Sequence, residues 1–551
     1  MNVNQKIAMV VLLQLMLSST GHTASDVVNA PMDAAGVDLH NLQEHMEQER
    51  VARQIKEDRE RVKSKIESGD TVPGDQQPVE MRFMLRDVLI TPSKVLTAEE
   101  LNAIKTPYIG HEADVKTLYA LVNEINALYK KKGYITCRAF LLDQPIVDGK
   151  VTVTLIEGTL GNVKVENNRY TKEAYIKNRL HLRTGEIPVV GRLNDDLLYF
   201  NGTNDVQLRL VMKAGEAKHT TDLVLQAYEP QQYTWNLFTD NAGSYYSGQY
   251  RVGAFFNVRS LTGERDNLTL GYVHSKGTDA GALTYRRKLG RSGTSLNIGF
   301  NANRVEVTKG QSADLVDGHS NALSVGISQP LKVKDNMRSE ASLEYTHQKS
   351  VTDFDNSTRL VDDRIDDVTA TYAQTNYGDS FLAYQRHSYV RGYHSNDVTF
   401  GESGNFGYYK FYGFYRKNFA HRQFFNLRAR AQWAGGSALP SARQFYIGGM
   451  DSVRGYRENF LSGDSGFDLS VEYHVPIINN RTTAFAFYDY GSTHGDHAFD
   501  DHVLQGVGVG IRSALTPNIY ANLTLGVPLK RDVNGEKVSK TRLHFILSGT
   551  M

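Results

Sequence analysis

A serine flanked by glycines is the first arrangement in the sequence that could perform covalent chemistry. The segment Gly463-Asp464-Ser465-Gly466 offers a hydroxyl nucleophile beside a carboxylate. A serine nucleophile also needs a histidine base and an acidic partner within hydrogen-bonding reach, and one tetrapeptide cannot establish that placement. A loop is therefore the favoured interpretation. A secreted surface hydrolase is the alternative, and Ser465→Ala would abolish the activity of such an enzyme.

Other reactive side chains give weaker signals. Cys137 is the only cysteine, so it can form neither an internal disulfide nor a cysteine-rich zinc site, and it lies in an apolar run, 135–142, that is typical of a strand. A polar loop is the favoured interpretation of the cluster His494, Asp496, His497, Asp500 and Asp501. The sequence has no phosphate-binding Gly-Lys-Ser/Thr loop. It therefore predicts no enzyme, no cofactor and no metal site.

Composition limits the class of protein. The chain has 551 residues, enough for at least two or three domains. Lys and Arg number 62 and Asp and Glu number 61, and this balance argues against a nucleic-acid binder, whose footprint is basic. With 30 Tyr, 47 Gly and 13 Pro, the composition favours a β-rich chain.

The first residues have the layout of an exported protein. Lys6 precedes an apolar run, 7–17, and small and polar residues follow to Ala24. This pattern predicts a secretory signal peptide over 1–24, with the cleavage point left open. No later stretch has 18 or more consecutive apolar residues. The mature protein is therefore expected to be either soluble outside the cytoplasm or a membrane β-barrel, whose alternating strands escape a hydropathy scan.

Residues 41–229 divide into a helix, a linker and two modules. The densely charged segment 41–68 has only a thin apolar stripe, so a helix there would lie in solvent or fill a polar cavity. Residues 69–80 read as a flexible linker. The segment 81–157 predicts a helix over 115–132 among strands, and 158–229 predicts helices over 172–182 and 192–201 among strands. This similar element order suggests an internal duplication.

From residue 231 to 551 the sequence alternates between apolar and polar residues. On one predicted strand Leu296, Ile298 and Phe300 are separated by Asn297 and Gly299. A soluble sandwich would bury its apolar residues, whereas a membrane barrel turns them towards lipid and encloses the polar ones. At about 20 residues for each strand and its share of loop, the tract fits about sixteen strands.

One segment carries a family resemblance. Residues 448–473 read GGMDSVRGYRENFLSGDSGFDLSVEY, in which Val453-Arg454-Gly455-Tyr456 precedes Gly-Asp-Ser-Gly and another alternating strand. This combination resembles the TpsB transporters of two-partner secretion, within the superfamily of outer-membrane assembly and translocation barrels. The resemblance covers nearly the whole chain. It implies a mostly β fold: a transmembrane barrel of about sixteen antiparallel strands, preceded by an N-terminal plug helix and two POTRA domains with small α+β folds.

The resemblance assigns each part of the chain. It implies a plug helix at 41–68, POTRA domains at 81–157 and 158–229, and a barrel at 231–551. In this superfamily the Val-Arg-Gly-Tyr tetrad lies at the tip of an extracellular loop that folds back into the lumen. The chain ends in Met551 rather than the terminal Phe or Trp that is common in outer-membrane barrels.

An arginine inside a barrel needs a carboxylate partner, and guanidinium geometry suits one. In the family that partner lies on an inner strand, in a Phe-x-x-Asp-x-Gly-like segment. The segment 485–491 fits this pattern and nominates Asp489 as the partner of Arg454. Gly455 would allow a backbone path that a residue with a Cβ resists. A second Val-Arg-Gly-Tyr, at 390–393, lacks the following Gly-Asp-Ser-Gly and is assigned to a strand end or loop.

The resemblance also implies a function. A large unfolded exoprotein would present its N-terminal secretion domain to the POTRA domains and cross the barrel to the cell surface without ATP. The cargo stays open among haemolysins, adhesins and contact-dependent inhibition toxins. A monomer in outer-membrane lipid is expected. The alternatives are a general porin, which would not need residues 81–229, and a barrel-insertion factor, which typically carries more POTRA domains.

Overall fold

The computed structural model of the protein describes residues 33–44, 46, 66–68, 82–310, 312–355, 358–398, 403–478, 481–495 and 502–551. The predicted signal peptide (1–24), the predicted linker (69–80) and residues 47–65 of the predicted plug helix lie outside the described residues. The chain divides into two compact units, one within Glu60–Pro230 and the other formed by Gln231–Met551 together with the N-terminal part.

The N-terminal helix, α1, covers residues 34–44 and so begins before the predicted start at 41. The Asp33 carboxylate accepts a hydrogen bond of 2.8 Å from the Gly36 backbone N–H. It thereby caps a first turn whose amides have no helical acceptor. At the other end of the predicted helix the structure has a strand, β1 (Ile66–Ser68), which pairs in parallel with Leu210–Met212. Residues 66–68 therefore form sheet rather than helix, because that neighbouring strand supplies their backbone partners.

The first module packs helices on a small sheet. Its elements are β2 (Phe83–Met84), β3 (Asp87–Ile90), α2 (Ala98–Lys105), a 3-10 turn (Thr106–Tyr108), β4 (Glu112–Ala113), α3 (Val115–Lys131), β5 (Cys137–Phe140) and β6 (Lys150–Glu157). Strand β6 pairs in parallel with β3 and antiparallel with β5, and β2 pairs with β4. Leu121, Ile125 and Tyr129 of α3 are fully buried in the core of the module.

Cys137 belongs to this core. Its side chain is buried on β5, and burial raises the pKa of its thiol to about 11, with the Glu157 carboxylate adding to the rise. A thiol with this pKa stays protonated at neutral pH and is a poor nucleophile.

The second module has a mixed sheet of its own. It contains β7 (Thr159–Glu166), α4 (Glu173–Lys177), α5 (Val190–Thr203), β8 (Gln207–Ala214) and β9 (Thr220–Tyr228). The strand order is β1-β8-β9-β7, with β8 and β9 antiparallel and β7 parallel to β9. Phe200, Leu208 and Leu210 lie in a separate core. No helix in the described ranges combines the length and apolar character needed to cross a membrane.

The remaining strands form the second unit. They are β10 (Tyr233–Asp240), β11 (Arg251–Arg259), β12 (Asn267–His274), β13 (Thr278–Lys288), β14 (Ser295–Glu306), β15 (Val316–Lys334), β16 (Met337–Phe354), β17 (Thr358–Tyr377), β18 (Phe381–Asn396), β19 (Gly404–Asn418), β20 (Phe424–Trp433), β21 (Phe445–Ile447), β22 (Leu461–Gly463), β23 (Ser465–Ile478), β24 (Thr482–His494), β25 (Val503–Thr516), β26 (Ile519–Pro528), β27 (Asp532–Val533), β28 (Glu536–Lys537) and β29 (Arg542–Thr550). Short 3-10 turns cover Ala420–Arg422 and Ser441–Arg443.

Among the described residues, sixteen of these strands close into an antiparallel barrel in the order β10 to β20, β23 to β26 and β29. Closure is made by β10 and β29, where Asn236 pairs with Thr550 and Asp240 with Ile546. The backbones of Trp235 and Met551 exchange two hydrogen bonds of 2.9 Å, which continue this pairing. The expectation of about sixteen antiparallel strands is confirmed.

The two faces of the barrel have opposite polarity. On β23 the inward Asp468 and Ser470 are buried, whereas the outward Phe467 is 43% exposed. On β15 the outward Val325 and Ile327 are likewise exposed. An apolar outer face around a polar interior is the arrangement of a barrel surrounded by lipid.

The barrel wall is uneven in length. Strands β16 and β17 have 18 and 20 residues, whereas β10 and β12 have 8 each. About 9–11 residues suffice to cross a membrane. The first part of β17 carries outward Asp362, Arg364 and Asp366 before the outward face becomes apolar at Val368. This part of the strand therefore extends past the lipid, on the rim opposite Tyr233 and Met551.

Candidate functional site

The connection between β20 and β23, residues 434–464, turns back inside the barrel, and we call it the lumen loop. Strands β21 and β22 pair at its stem, from Phe445↔Gly463 to Ile447↔Leu461. Beyond the stem lies the predicted tetrad. Val453, Arg454 and Tyr456 are almost completely buried, and the carboxylate partners of Arg454 lie on the inner face of the barrel wall.

Arg454 and Asp489 form a bidentate ion pair. The Arg454 Nε donates to Asp489 Oδ2 at 2.7 Å, and Nη2 donates to Oδ1 at 2.8 Å. The Arg454 backbone N–H also donates to Oδ2, at 3.0 Å. Arg454 is 4% exposed and Asp489 is fully buried. A carboxylate thus orients both the side chain and the backbone of the loop tip, so the loop position depends on this pair.

A second carboxylate completes the site. Glu472 accepts from Arg454 Nη1 at 2.6 Å, and the Ser470 hydroxyl accepts from Nη2 at 2.9 Å while donating to Asp489 at 2.7 Å. Glu472 also forms an ion pair of 3.4 Å with Arg512. Each of the two carboxylates therefore has a guanidinium partner, although the Arg512 side chain is 43% exposed.

Three further contacts orient these groups. The Arg454 guanidinium lies 3.6 Å from the centroid of the Phe487 ring. His474 is fully buried, lies 2.9 Å from Glu472, and stacks on Phe424 at 4.2 Å between ring centroids. Stacking on aromatic rings holds flat side chains in one orientation within a desolvated site.

Sequence reasoning named Arg454 and Asp489 but missed Glu472 and Ser470. A signal was present, because Asp468, Ser470 and Glu472 alternate along one strand with outward apolar residues. This alternation predicts that all three side chains lie on the inner face of the barrel. Ser470 is the direct cross-strand neighbour of Asp489, so the register of β23 and β24 fixes the cluster.

Glycines make room for the tip of the lumen loop. Gly455 has φ of +103°, a conformation that favours glycine. On the wall, a Cβ at Gly506 would lie 2.1 Å from the Arg454 carbonyl oxygen, and one at Gly526 would lie 2.6 Å from the Gly455 backbone nitrogen. A Cβ at Gly491 would lie 2.8 Å from Val453 Cγ2. The loop backbone thus lies directly on the strand backbones.

Tyr456 fixes the tip from the other side. Its hydroxyl lies 3.1 Å from the Gln505 carbonyl and 3.0 Å from the Lys530 carbonyl, and it accepts from the Lys530 backbone N–H at 3.2 Å. Its ring packs in an apolar cluster that includes Val453 and Leu504. The tetrad therefore combines an ion pair, a close backbone approach and an apolar contact.

Gly506→Ala should release the loop tip from the wall. The added methyl group would collide with a backbone atom of the loop, which no side-chain rotation can relieve. Overpacking of this kind costs about 1–3 kcal/mol. Ser452→Cys serves as the reporter, because Ser452 is only 4% exposed. In a protein that carries both Gly506→Ala and Ser452→Cys, we expect maleimide to label the reporter cysteine about tenfold faster than in the protein with Ser452→Cys alone.

Gly281→Ala is the matched control, because a Cβ there has no heavy atom within 4 Å. It lies on β13 of the same barrel and should leave labelling unchanged. Equal labelling of the two alanine variants would contradict the proposed fit between loop and wall.

The other candidate motifs have different surroundings. Ser465 begins β23, and its hydroxyl accepts from the Ala434 backbone N–H at 3.0 Å, so it joins the two ends of the lumen loop. Arg391, in the second Val-Arg-Gly-Tyr, lies within β18 and is exposed. His497 and its neighbours 496–501 lie outside the described residues. No group of three or more His, Cys, Asp or Glu suited to a metal occurs in the part of the chain that the structure describes.

Helix α1 occupies the lumen beside the loop. Its Asp38 carboxylate accepts from the Thr278 hydroxyl at 3.0 Å and from the Ser247 hydroxyl at 3.2 Å. Glu44 forms an ion pair with Lys410. Leu42 is buried in an apolar cluster with wall residues of β10 to β13. The helix is therefore held to the wall by contacts suited to a polar cavity, one of the two environments considered for it.

Comparisons with known proteins agree with this architecture. The family model described as "Haemolysin secretion/activation protein ShlB/FhaC/HecB" matches residues 219–513, and the ShlB-type POTRA domain matches residues 83–158. The heme/hemopexin transporter protein HuxB of Haemophilus influenzae strain 86-028NP is 23% identical over 527 residues, covering 90% of this chain and 92% of HuxB. The outer membrane transporter CdiB of Escherichia coli O6:K15:H31 is 20% identical over 497 residues, covering 84% and 81%.

Solved structures share the fold. CdiB from Acinetobacter baumannii has a TM-score of 0.64 at 18% identity and covers 94% of this chain and 99% of its own. BamA from Haemophilus ducreyi, lacking POTRA domains 1–3, has a TM-score of 0.54 at 13% identity and covers 85% and 100%.

Proposed function

The chain belongs to the haemolysin secretion/activation family ShlB/FhaC/HecB, and from this membership and the geometry of the lumen we propose how it exports its partner. It is a TpsB-type outer-membrane transporter of two-partner secretion, which moves a partner exoprotein out of the periplasm. Its barrel lies in the outer membrane, and its POTRA domain lies in the periplasm. The finer steps below are the proposal.

One observation carries the proposed mechanism: α1 and the lumen loop both lie inside the barrel. Porins of sixteen to eighteen strands leave an aqueous channel, whereas here Asp38 and Glu44 of the helix and Arg454 of the loop bind wall residues. Polar contacts and ion pairs can exchange for water as the lumen opens. We therefore propose that α1 leaves the lumen and the loop tip detaches when an exoprotein arrives. A general porin would not need either element.

The periplasmic modules are the proposed recognition sites, with boundaries at 81–157 and 158–229. Strands β3 and β5 form the edges of the first sheet, each paired on one side by β6. An extended chain can add to such an edge through backbone hydrogen bonds, with alternate side chains giving specificity. Leu89 on β3 is 51% exposed and offers an apolar contact to such a chain.

Direction would come from the cargo. We propose that the exoprotein crosses unfolded and that its folding at the cell surface prevents return, without ATP. A single chain surrounded by outer-membrane lipid suffices to form the transport channel, because the barrel closes on itself through β10 and β29. The relatives named for heme/hemopexin and the CdiB relatives leave more than one cargo class open.

A secretion assay tests the function. The chain is produced in a Gram-negative host together with the large exoprotein encoded beside its gene, and the medium and cell surface are blotted for that exoprotein. We expect export with the intact chain and retention in the periplasm without it. Retention in both strains, with the barrel inserted, would contradict the pairing, and ion conductance of the purified protein would then test the porin alternative.

A further inference from the structure

A second arginine binds the lumen loop to the wall. Arg443 is the last residue of the 3-10 turn in the first limb of the loop and is 5% exposed. Its Nε and Nη2 both donate to Asp367 Oδ2, at 3.0 and 2.8 Å, and its Nη1 donates to Gln348 Oε1 at 2.8 Å. Asp367 and Gln348 are buried on the inner faces of β17 and β16. The pair is thus desolvated and specific, like that of Arg454.

The two arginines bind separate parts of the barrel. Arg454 binds β23 and β24, whereas Arg443 binds β16 and β17. Strands β18, β19 and β20 lie between these positions in the barrel order. A loop fixed at both places spans a wide sector of the lumen.

The first limb also has an apolar contact of its own. Leu439 and Ala442 of the loop pack against Ile365, Phe406 and Tyr408 of β17 to β19. Val453 and Tyr456, near the tip, instead pack in a cluster with Leu504 of β25. Because the clusters are separate, the tip can leave its position while the first limb keeps its own.

Arg443 also lies next to the start of the plug helix. The Asp33 carboxylate, which caps α1, interacts electrostatically with the Arg443 guanidinium. Ser350, on the inner face of β16 two residues after Gln348, lies beside the same turn, since a Cβ at Gly36 would meet its hydroxyl at 2.7 Å. The helix, the loop and the wall therefore meet around Arg443.

We propose that Arg443 is a positioning residue for transport, which holds the first limb of the lumen loop on β16 and β17 while the tip carrying Arg454 detaches. The loop then pivots about Arg443 instead of leaving the lumen as a whole. Since this inference rests on the proposed function, it concerns how far the lumen opens and not whether the protein transports.

The test compares Arg443→Ala, Asp367→Arg and the charge swap Arg443→Asp with Asp367→Arg in the full-length protein. Two quantities are measured: export of the exoprotein and the resting conductance of purified protein in planar bilayers. Each single change should raise the resting conductance and reduce export by about tenfold, because it leaves a buried charge unpaired. The swap should restore both quantities in part, because it re-forms the ion pair with the wall but places a second carboxylate near Asp33.

Arg391→Ala is the control, because Arg391 is exposed on β18; it should behave as the parent. A heat-dependent gel shift verifies that each barrel is folded. If Arg443→Ala fails to fold, Arg443→Lys replaces it in the test, and its conductance and export should lie between those of the parent and those of Asp367→Arg. Parent-like conductance and export in Arg443→Ala, or a folded swap without restoration, would overturn the inference. If the parent itself does not export the exoprotein, the proposed pairing fails, and the conductance measurement still decides whether Arg443 holds the loop.

Discussion

Arg454→Ala should reduce export of the exoprotein at least about tenfold while the barrel still inserts. The change leaves the Asp489 and Glu472 carboxylates buried without the guanidinium that neutralises them. Breaking a buried pair by removing one partner costs about 3–5 kcal/mol. The tip also loses the contacts that orient its backbone. Blotting of the medium measures export, and chemical denaturation of the purified barrel measures the loss of stability.

Matched variants separate charge from geometry. Arg454→Lys keeps the charge but cannot form the bidentate hydrogen bonds of a guanidinium group. Its export should therefore lie between that of the parent and that of Arg454→Ala. Asp489→Asn should impair export as strongly as Arg454→Ala, since it removes the carboxylate that forms the bidentate ion pair with Arg454. Arg391→Ala, in the identical tetrapeptide on the outer face, should leave export unchanged. Normal export by Arg454→Ala would remove the tetrad from the mechanism.

Deletion of residues 81–229 should abolish export entirely and leave a folded barrel. The barrel needs no strand from this segment, because β10 and β29 close it. The deleted part belongs to a separate compact unit with its own cores, so its removal breaks no barrel core. What is lost is the set of periplasmic sheet edges that could bind an extended chain. Blots of periplasm and medium measure the exoprotein, and a heat-dependent gel shift measures the barrel.

A milder variant controls for the size of this deletion. Leu89→Asp places a charge on an exposed position of β3 without disturbing the core and should weaken export by reducing binding. Export that persists after the full deletion would locate recognition in the barrel or in the N-terminal helix.

Periodicity predicted the strands but did not by itself decide between a soluble sandwich and a membrane barrel. The length of the tract, the chemistry of its polar face and the predicted signal peptide favoured the barrel of about sixteen strands, in which lipid outside and polar groups inside impose a period of two. The predicted helix over 115–132 is observed as Val115–Lys131, between an Asp114 cap and Gly133. Helix α2 was missed, although Thr97 and Glu100 form a capping box, because so short a segment has little periodicity.

The site was only partly predictable. Family resemblance nominated Arg454 and Asp489, and local alternation could have added Glu472. The fit of Gly506 against the loop and the pairing of Arg443 with Asp367 depend on docking between distant segments. Arg443 and Asp367 are 76 residues apart in the chain, and no local pattern encodes such a distance.

The uneven wall gives the exit a direction. Strand β17 has 20 residues, against 8 in β10, so about 10 residues continue past the lipid. At ~3.3 Å per residue and a tilt of ~40°, that side of the rim stands ~25 Å higher. An emerging chain would be screened on the side of β15 to β18 more than on the side of β10 to β13. We therefore expect the first folded turns of the exoprotein to form over the low side of the rim.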